Sequence, residues 1–286
     1  MMVLVNIGIN GVLMGLIYGL MALGLSVVFG VIRVVNFAHG EMMVLGVYGA
    51  IVLHQLTGLD PILLSPILAA VLFFFGYGLQ RGLINRLLEK PEHVQFIVLA
   101  SVALILMNLQ LMIFGPEAKA VSVSYSLETF EIGALLIDKT RVYTAGVALF
   151  VAITLFAFFK YSLTGKKIRA CADNLLGAKV VGLNHKHLYA VSFGIGAGCV
   201  AIAGSLLSLL FNVTPHLAPE LTLLGFVIVI IGGLGSMAGA LFGGLLIGVV
   251  QAYAGYFTEP SLKSLFSFGL LIVVLMFRPQ GLLKQS

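Results

Sequence analysis

KYSLTGKKIRACADNLLGAKVVGLNHKHLY, residues 160–189, turns polar and basic in a chain that is otherwise oily. Long apolar runs flank it on both sides, so it reads as an aqueous loop between two membrane spans. It is too long and too patterned for a plain turn. Ile168, Cys171, Ala172 and Leu175 recur at i, i+3, i+4 and i+7, one face of a helix, while Arg169, Asp173 and Asn174 lie off that stripe. Gly182, Leu183 and Asn184 form a stop before the next span. The pattern predicts one short amphipathic helix lying at the membrane surface. Such a helix is either a docking element for a soluble partner or a connector resting on lipid headgroups, and periodicity leaves both open.

Composition supports the membrane reading. The chain is 60% hydrophobic and only 9% charged, with a mean hydropathy of +1.12. A soluble domain carries about 25% charged residues. The apolar runs are unbroken rather than alternating, which excludes a β-barrel and predicts an all-α, polytopic helical bundle. Thirty-four glycines suit closely packed spans. The net charge of +5 is scattered among loops and is not a nucleic-acid footprint. Cys171 and Cys199 suggest neither a disulfide framework nor a metal site. The first residues, MMVLVNIGIN, lack a basic region and run into a long span, so no cleaved signal peptide is expected.

At roughly twenty apolar residues per crossing, nine hydrophobic segments can be marked. Some are interrupted, so the expectation is about 8–10 transmembrane segments forming a single domain over residues 1–286. In the first segment, near residues 3–30, Gly11, Gly15 and Gly19 make a ladder with a four-residue step for close helix packing. Gly235, Gly239 and Gly243 begin a second ladder. Residues 115–140 are polar. There Val121, Val123, Tyr125 and Leu127 alternate with polar neighbours, which predicts a strand that turns near Glu128 and Thr129 and returns over residues 131–137 as a small external hairpin cap. Putting the 160–189 loop inside places twelve Lys and Arg on the inner side, from Arg33 to Lys284. Lys119, Lys139, Arg141 and Lys263 are left outside. The amino terminus is then outside and the carboxyl terminus cytoplasmic.

Chemistry-bearing motifs are scarce. GxxxxGK followed by Ser or Thr is absent, so the chain is not expected to hydrolyse ATP. Neither HExxH nor GxSxG occurs, and no catalytic or metal-ligating set stands out. Intramembrane charges are few, which argues against an ion-coupled carrier. His39 and Glu41 come nearest to a buried ionisable pair. The commoner arrangement is an interfacial helix start, where a carboxylate suits the helix dipole. Asn108 and Gln110 lie nearer mid-membrane, where an amide either lines a path or bonds across helices. Asn36, His39, Glu41 and Asn108 are the candidates for a translocation path. Helix breaks are expected near residues 215–220 and 232–236, where they would leave helix ends facing the bundle interior.

Several blocks resemble one family. Residues 10–31 with Val35-Asn36-Phe37-Ala38-His39-Gly40-Glu41-Met42 look like the signature of the LivH-type permeases of branched-chain amino acid ABC transporters. Asn108-Leu109 with Phe114-Gly115-Pro116, Gly232-Gly233-Leu234-Gly235-Ser236 with Gly239-Ala240, and Phe277-Arg278-Pro279-Gln280-Gly281-Leu282 match further blocks in the family's order. The resemblance implies an inner-membrane subunit, bacterial or archaeal, of an ATP-driven importer. Its implied partners are a LivM-like second permease, two cytoplasmic ATPases that use the ATP, and a periplasmic binding protein. This chain would bind no cofactor, only membrane lipid around it. Loop 160–189 then resembles the ATPase-coupling segment of such importers, pattern EAA-xxx-G. Leu176-Gly177-Ala178 and Gly182 match its last Ala and its Gly but not its Glu and first Ala. Arg169, Asp173, Asn174, Ala178 and Gly182 are the implied coupling residues. Urea and short-amide importers resemble the same blocks, so they are the alternative substrates.

Overall fold

The ladder at Gly11, Gly15 and Gly19 decides which helix lies against the first span. In the computed structural model, helix α1 (Met2–Ile32) presents these glycines to α10 (Met237–Phe257). A Cβ at Gly15 would sit 2.7 Å from Leu245 Cα and 2.8 Å from the Gly244 carbonyl, so only a hydrogen fits between the backbones. The described residues are 2–88, 90–132, 135–259 and 262–283; residues 133–134 of the expected hairpin return, and Lys284 of the inner-side charges, lie outside them.

The second ladder divides its labour differently from the sequence expectation. Gly239 and Gly243 face α9 (Ala218–Gly232): a Cβ at Gly243 would meet the Ile228 carbonyl at 2.5 Å. Gly235 sits in the α9–α10 turn at φ +81° and touches Gly30. The row that meets α1 is Gly244 and Gly248, one residue on and therefore about 100° round the helix. Two glycine rows let α10 lie tightly between two neighbours. Gly244→Val is expected to destabilise the chain by about 1–3 kcal/mol through overpacking against Gly19, which thermal unfolding in detergent micelles would read.

Around this pair the other helices follow in order: α2 (His39–Thr57), α3 (Pro61–Gly82), α4 (Glu92–Phe114), α5 (Lys139–Tyr161), α6 (Leu163–Asp173), α7 (Leu175–Val180), α8 (His185–Leu207) and α11 (Lys263–Phe277). α1 and α8 are largely buried and form the middle, whereas α4 is largely exposed. α3 starts on a local device: Asp60 caps it, accepting from Ile62 N at 2.7 Å, and Pro61 occupies the first turn. Pro66 inside α3 cannot donate to Ile62 O, and the Ser65 hydroxyl does so instead at 2.8 Å.

Among the described residues seven helices are long and apolar enough to cross a membrane, fewer than the expected 8–10. The second and ninth hydrophobic segments are helices too. α2 is diluted by His39, Glu41, His54 and Gln55, and α11 has only 15 residues. The stretch from Pro215 to Gly232 qualifies as a span because a 3-10 turn, Pro215–Leu217, extends α9. The Gly232–Ser236 break proves to be the turn between two spans, capped by Ser236, rather than a gap within one.

The hairpin lies later in the chain than the alternation suggests. β1 (Thr129–Ile132) pairs antiparallel with β2 (Leu135–Asp138), Thr129 opposite Asp138. Residues 119–121 are recruited elsewhere: Lys119 bridges to Val213, and Val121 N donates to Ser208 O at 2.8 Å. That end of the bundle is tied together by Tyr125, whose hydroxyl donates to Asp60 Oδ2 at 2.6 Å. Burial and this acceptor push the Tyr125 phenol well above its ordinary pKa.

Candidate functional site

The connection from α1 to α2 does not stay at the membrane surface. Arg33 takes a left-handed φ of +59° and ends α1. Six residues later, His39 Nε2 donates to the Met21 carbonyl at 3.0 Å. Met21 lies eleven residues back from Ile32, about 16 Å along the helix axis. Residues 33–38, extended, can span about 20 Å, so the chain dips back into the bundle and α2 begins near its middle. His39 and Glu41, 1% and 3% exposed, are buried there rather than interfacial.

A polar cluster gathers around this helix start. Asn36 Oδ1 accepts from Ala38 N at 3.1 Å and closes the turn that launches α2. Gly40 N donates to Thr222 Oγ1 of α9 at 2.8 Å. The Thr222 hydroxyl proton then has the Ala218 carbonyl at 3.1 Å, the Phe37 carbonyl at 3.4 Å and Glu41 Oε2 at 3.5 Å to choose from. From α4, Gln110 Nε2 donates to the Glu41 carbonyl at 3.1 Å, and Gln110 Oε1 is buried without a partner. Among the described residues no cation pairs with Glu41. The ring of Phe37, next to the cluster in sequence, packs between Phe96 and Phe226, at centroid distances of 4.5 and 5.4 Å.

Three of the four path candidates, Asn36, His39 and Glu41, are thus brought together. Asn108 is not: it is exposed on α4 and its amide donates to Leu104 O of its own helix at 2.7 Å. Gln110, two residues on and on the opposite face, is the α4 amide that reaches the cluster. Thr222 could not be singled out from its sequence neighbours.

Loop 160–189 folds as two helices, not one. Ser162 caps α6 through Gly165 N at 2.9 Å, and Asn174 caps α7 through Gly177 N at 2.9 Å. Asn174 therefore breaks the helix that the periodicity carries through it, because its side chain competes for the backbone N–H. The apolar stripe holds: Ile168 and Cys171 are buried, and Ala172 and Leu175 half-buried. Burial pushes the Cys171 thiol above its ordinary pKa. Arg169, Asp173 and Asn174 are exposed. Ala178 is buried and its carbonyl accepts from Leu183 N at 2.9 Å, closing the turn at Gly182, whose φ is +79°. Leu176, Val180 and Val181 stand out instead, 76, 87 and 73% exposed, a ridge of apolar side chains at the tip of the loop. A cavity of about 500 Å³, lined by Arg33, Asn85, Asp173, Lys179 and Leu176 itself among others, lies between this loop and the end of α1.

A multi-pass helical bundle with a buried polar helix start and an apolar-tipped loop at one end is the build of a membrane transport subunit. Comparison with known families makes that specific: residues 7–275 match the family described as branched-chain amino acid transport system, permease component. The chain belongs to that family, whose members are non-catalytic permeases of ABC transport systems. It is 31% identical to the high-affinity branched-chain amino acid transport permease BraD of Pseudomonas aeruginosa, over 96% of this chain and 94% of BraD. It is 29% identical to LivH of Escherichia coli K12, over 96% and 93%. A more distant archaeal relative, a probable LivM of Methanocaldococcus jannaschii, is 26% identical over 82% of this chain and 71% of its own length. No solved structure matches the chain.

Proposed function

We propose that this chain translocates branched-chain amino acids as one of two permeases in an ATP-driven importer. The buried Glu41 carboxylate is the observation that carries the substrate reading. A carboxylate out of water with no cation is costly, and an arriving ammonium group offsets that cost. Urea or a neutral amide brings no such charge. The first turn of α2 adds backbone N–H groups on which a carboxylate can rest. Apolar walls at Phe37, Phe96 and Phe226 suit a branched side chain.

The sidedness follows from charge. Loop 160–189, the α3–α4 turn and the carboxyl-terminal segment share one end of the bundle, and most Lys and Arg sit there. That end is cytoplasmic, and the hairpin end, with Leu127 fully exposed, faces the binding protein. The Leu176, Val180 and Val181 ridge docks on a cytoplasmic ATPase. Closure of the ATPase pair presses on α6 and α7, which are fixed to the ends of α5 and α8, and access to the cluster alternates.

Uptake by proteoliposomes holding this chain, a second permease, both ATPases and the binding protein tests the reading. Leucine is expected to accumulate only with ATP, and Glu41→Gln to lower its uptake about tenfold, a typical loss for one charge contact. Urea accumulation without leucine would overturn the substrate. Uptake by this chain alone on an ion gradient would overturn the machine.

A further inference from the structure

On the lateral face of the bundle, α3 and α5 both lean on α8 but stand apart from each other. Between them runs an apolar groove of about 710 Å³. Its α3 wall runs from Ile62 to Phe73, eleven residues or about 17 Å. That length is comparable to half of a hydrocarbon core about 30 Å thick. This α3 wall starts at the hairpin end, where Asp60 bonds Tyr125, and the α5 wall, from Val147 to Phe158, carries the groove on to the loop 160–189 end, where Thr164 lines it. The groove does not end in open space. One turn beyond Phe73 on the same face of α3 stands Tyr77, and one turn further Arg81; on α8, His187 stands one turn beyond Val191. These residues line a second cavity, about 670 Å³, with Asn85, Arg86, Asn184 and Lys186.

The rim between the two is built: the Tyr77 hydroxyl meets His187 Nδ1 at 3.0 Å and accepts from Arg81 Nη1 at 3.3 Å. None of the described residues lining the second cavity is acidic. Among the described residues, Arg81, Arg86 and Lys186 pair with no carboxylate. An acyl-sized apolar slot therefore opens, in register along two helices, into a pocket whose cations pair with no carboxylate among the described residues.

We propose that the two cavities are one binding site for an anionic glycerophospholipid of the leaflet on the loop 160–189 side, with an acyl chain in the groove and the phosphate against Arg81, Arg86 and Lys186. The chemistry is that of a leaflet carrying anionic lipid, where each Lys or Arg near the surface adds attraction. The hydroxyl and imidazole of Tyr77 and His187 sit at the level of the glycerol esters, where amphipathic side chains belong. Bound there, the lipid joins α5, and through it α6, to the α3–α8 pair. The site shares no residue with the Glu41 cluster, so it stands whatever the substrate is.

Native mass spectrometry of the assembled transporter in detergent tests this, with phosphatidylglycerol and phosphatidylcholine of identical chains as probes. Phosphatidylglycerol is expected to be retained about tenfold better, and Arg81→Gln with Arg86→Gln to erase that preference. Ala69→Phe, which fills the groove and touches no charge, is expected to lower retention of both lipids. Equal retention of the two lipids by the unaltered protein would overturn the proposal. So would a preference unmoved by the arginine pair, or displacement of the lipid by glycerol phosphate at equal concentration, which would make the site a free-phosphate site with an idle groove.

Discussion

Leu176→Asp combined with Val180→Asp is expected to reduce ATP-driven uptake to less than about a hundredth of normal, while the chain still inserts and melts as before. Both side chains are more than three-quarters exposed and one helical turn apart, so in the isolated chain they touch solvent and little else. Surface changes of this kind alter folding by about 0.5 kcal/mol or less. Buried in an interface, each would be an anchor whose truncation costs about 2 kcal/mol or more, and a buried unpaired carboxylate costs further. The discriminating readout is co-purification of the ATPases. Loss of the ATPases with the permease intact supports the docking role. Full retention together with full uptake would assign the ridge to lipid headgroups. Ala178, which with Gly182 matches the family pattern, is expected to behave oppositely: Ala178→Asp should unfold the loop locally, because Ala178 is buried against its own chain.

That contrast shows what sequence can and cannot say about this loop. The apolar stripe Ile168, Cys171, Ala172, Leu175 was legible because a helix of period 3.6 repeats its face in the sequence. The break at Asn174 was not, since the same residue is tolerated on a helix surface and is also a strong cap. Only the 2.9 Å contact with Gly177 N decides between them. The ridge was hidden for a related reason. Leu176, Val180 and Val181 are as apolar as the residues that pack inward, and hydropathy carries no direction.

Depth in the bundle is a second quantity absent from the sequence. The polar run from Asn36 to Glu41 marks a helix start wherever it lies. An interfacial start is the commoner case. The dip of residues 33–38 sets the level instead, fixed by His39 on the Met21 carbonyl. Glycine ladders are similarly half-legible. Gly11, Gly15 and Gly19 define a single face, so their role could be read directly. Along α10 the two rows 239/243 and 244/248 overlap, and which one meets α1 depends on the rotation of that helix.

Gly40 is where depth and close packing meet, and Gly40→Ala is expected to abolish transport. A Cβ there would overlap the Ala218 carbonyl and lie 2.5 Å from Thr222 Oγ1. The obstacle is the backbone of α9, which cannot rotate away. α2 and α9 must separate, and the Gly40 N–H to Thr222 bond at 2.8 Å breaks. Overpacking of this kind costs about 1–3 kcal/mol, and a buried N–H left without its acceptor adds about 1–3 kcal/mol. Gly225→Ala is the matched control on the other side of the same cluster. Its Cβ would find Leu25, Met21 and His39 at 3.7–3.8 Å, ordinary contact distances. Removing a glycine from a helix interior there gains up to about 1 kcal/mol. Thermal unfolding in micelles and leucine uptake should therefore separate the two variants by direction: Gly40→Ala lower in both, Gly225→Ala equal or higher in stability with uptake retained. If Gly40→Ala transports normally, α2 and α9 do not meet at this point in the working protein, and the cluster built on their contact loses its frame.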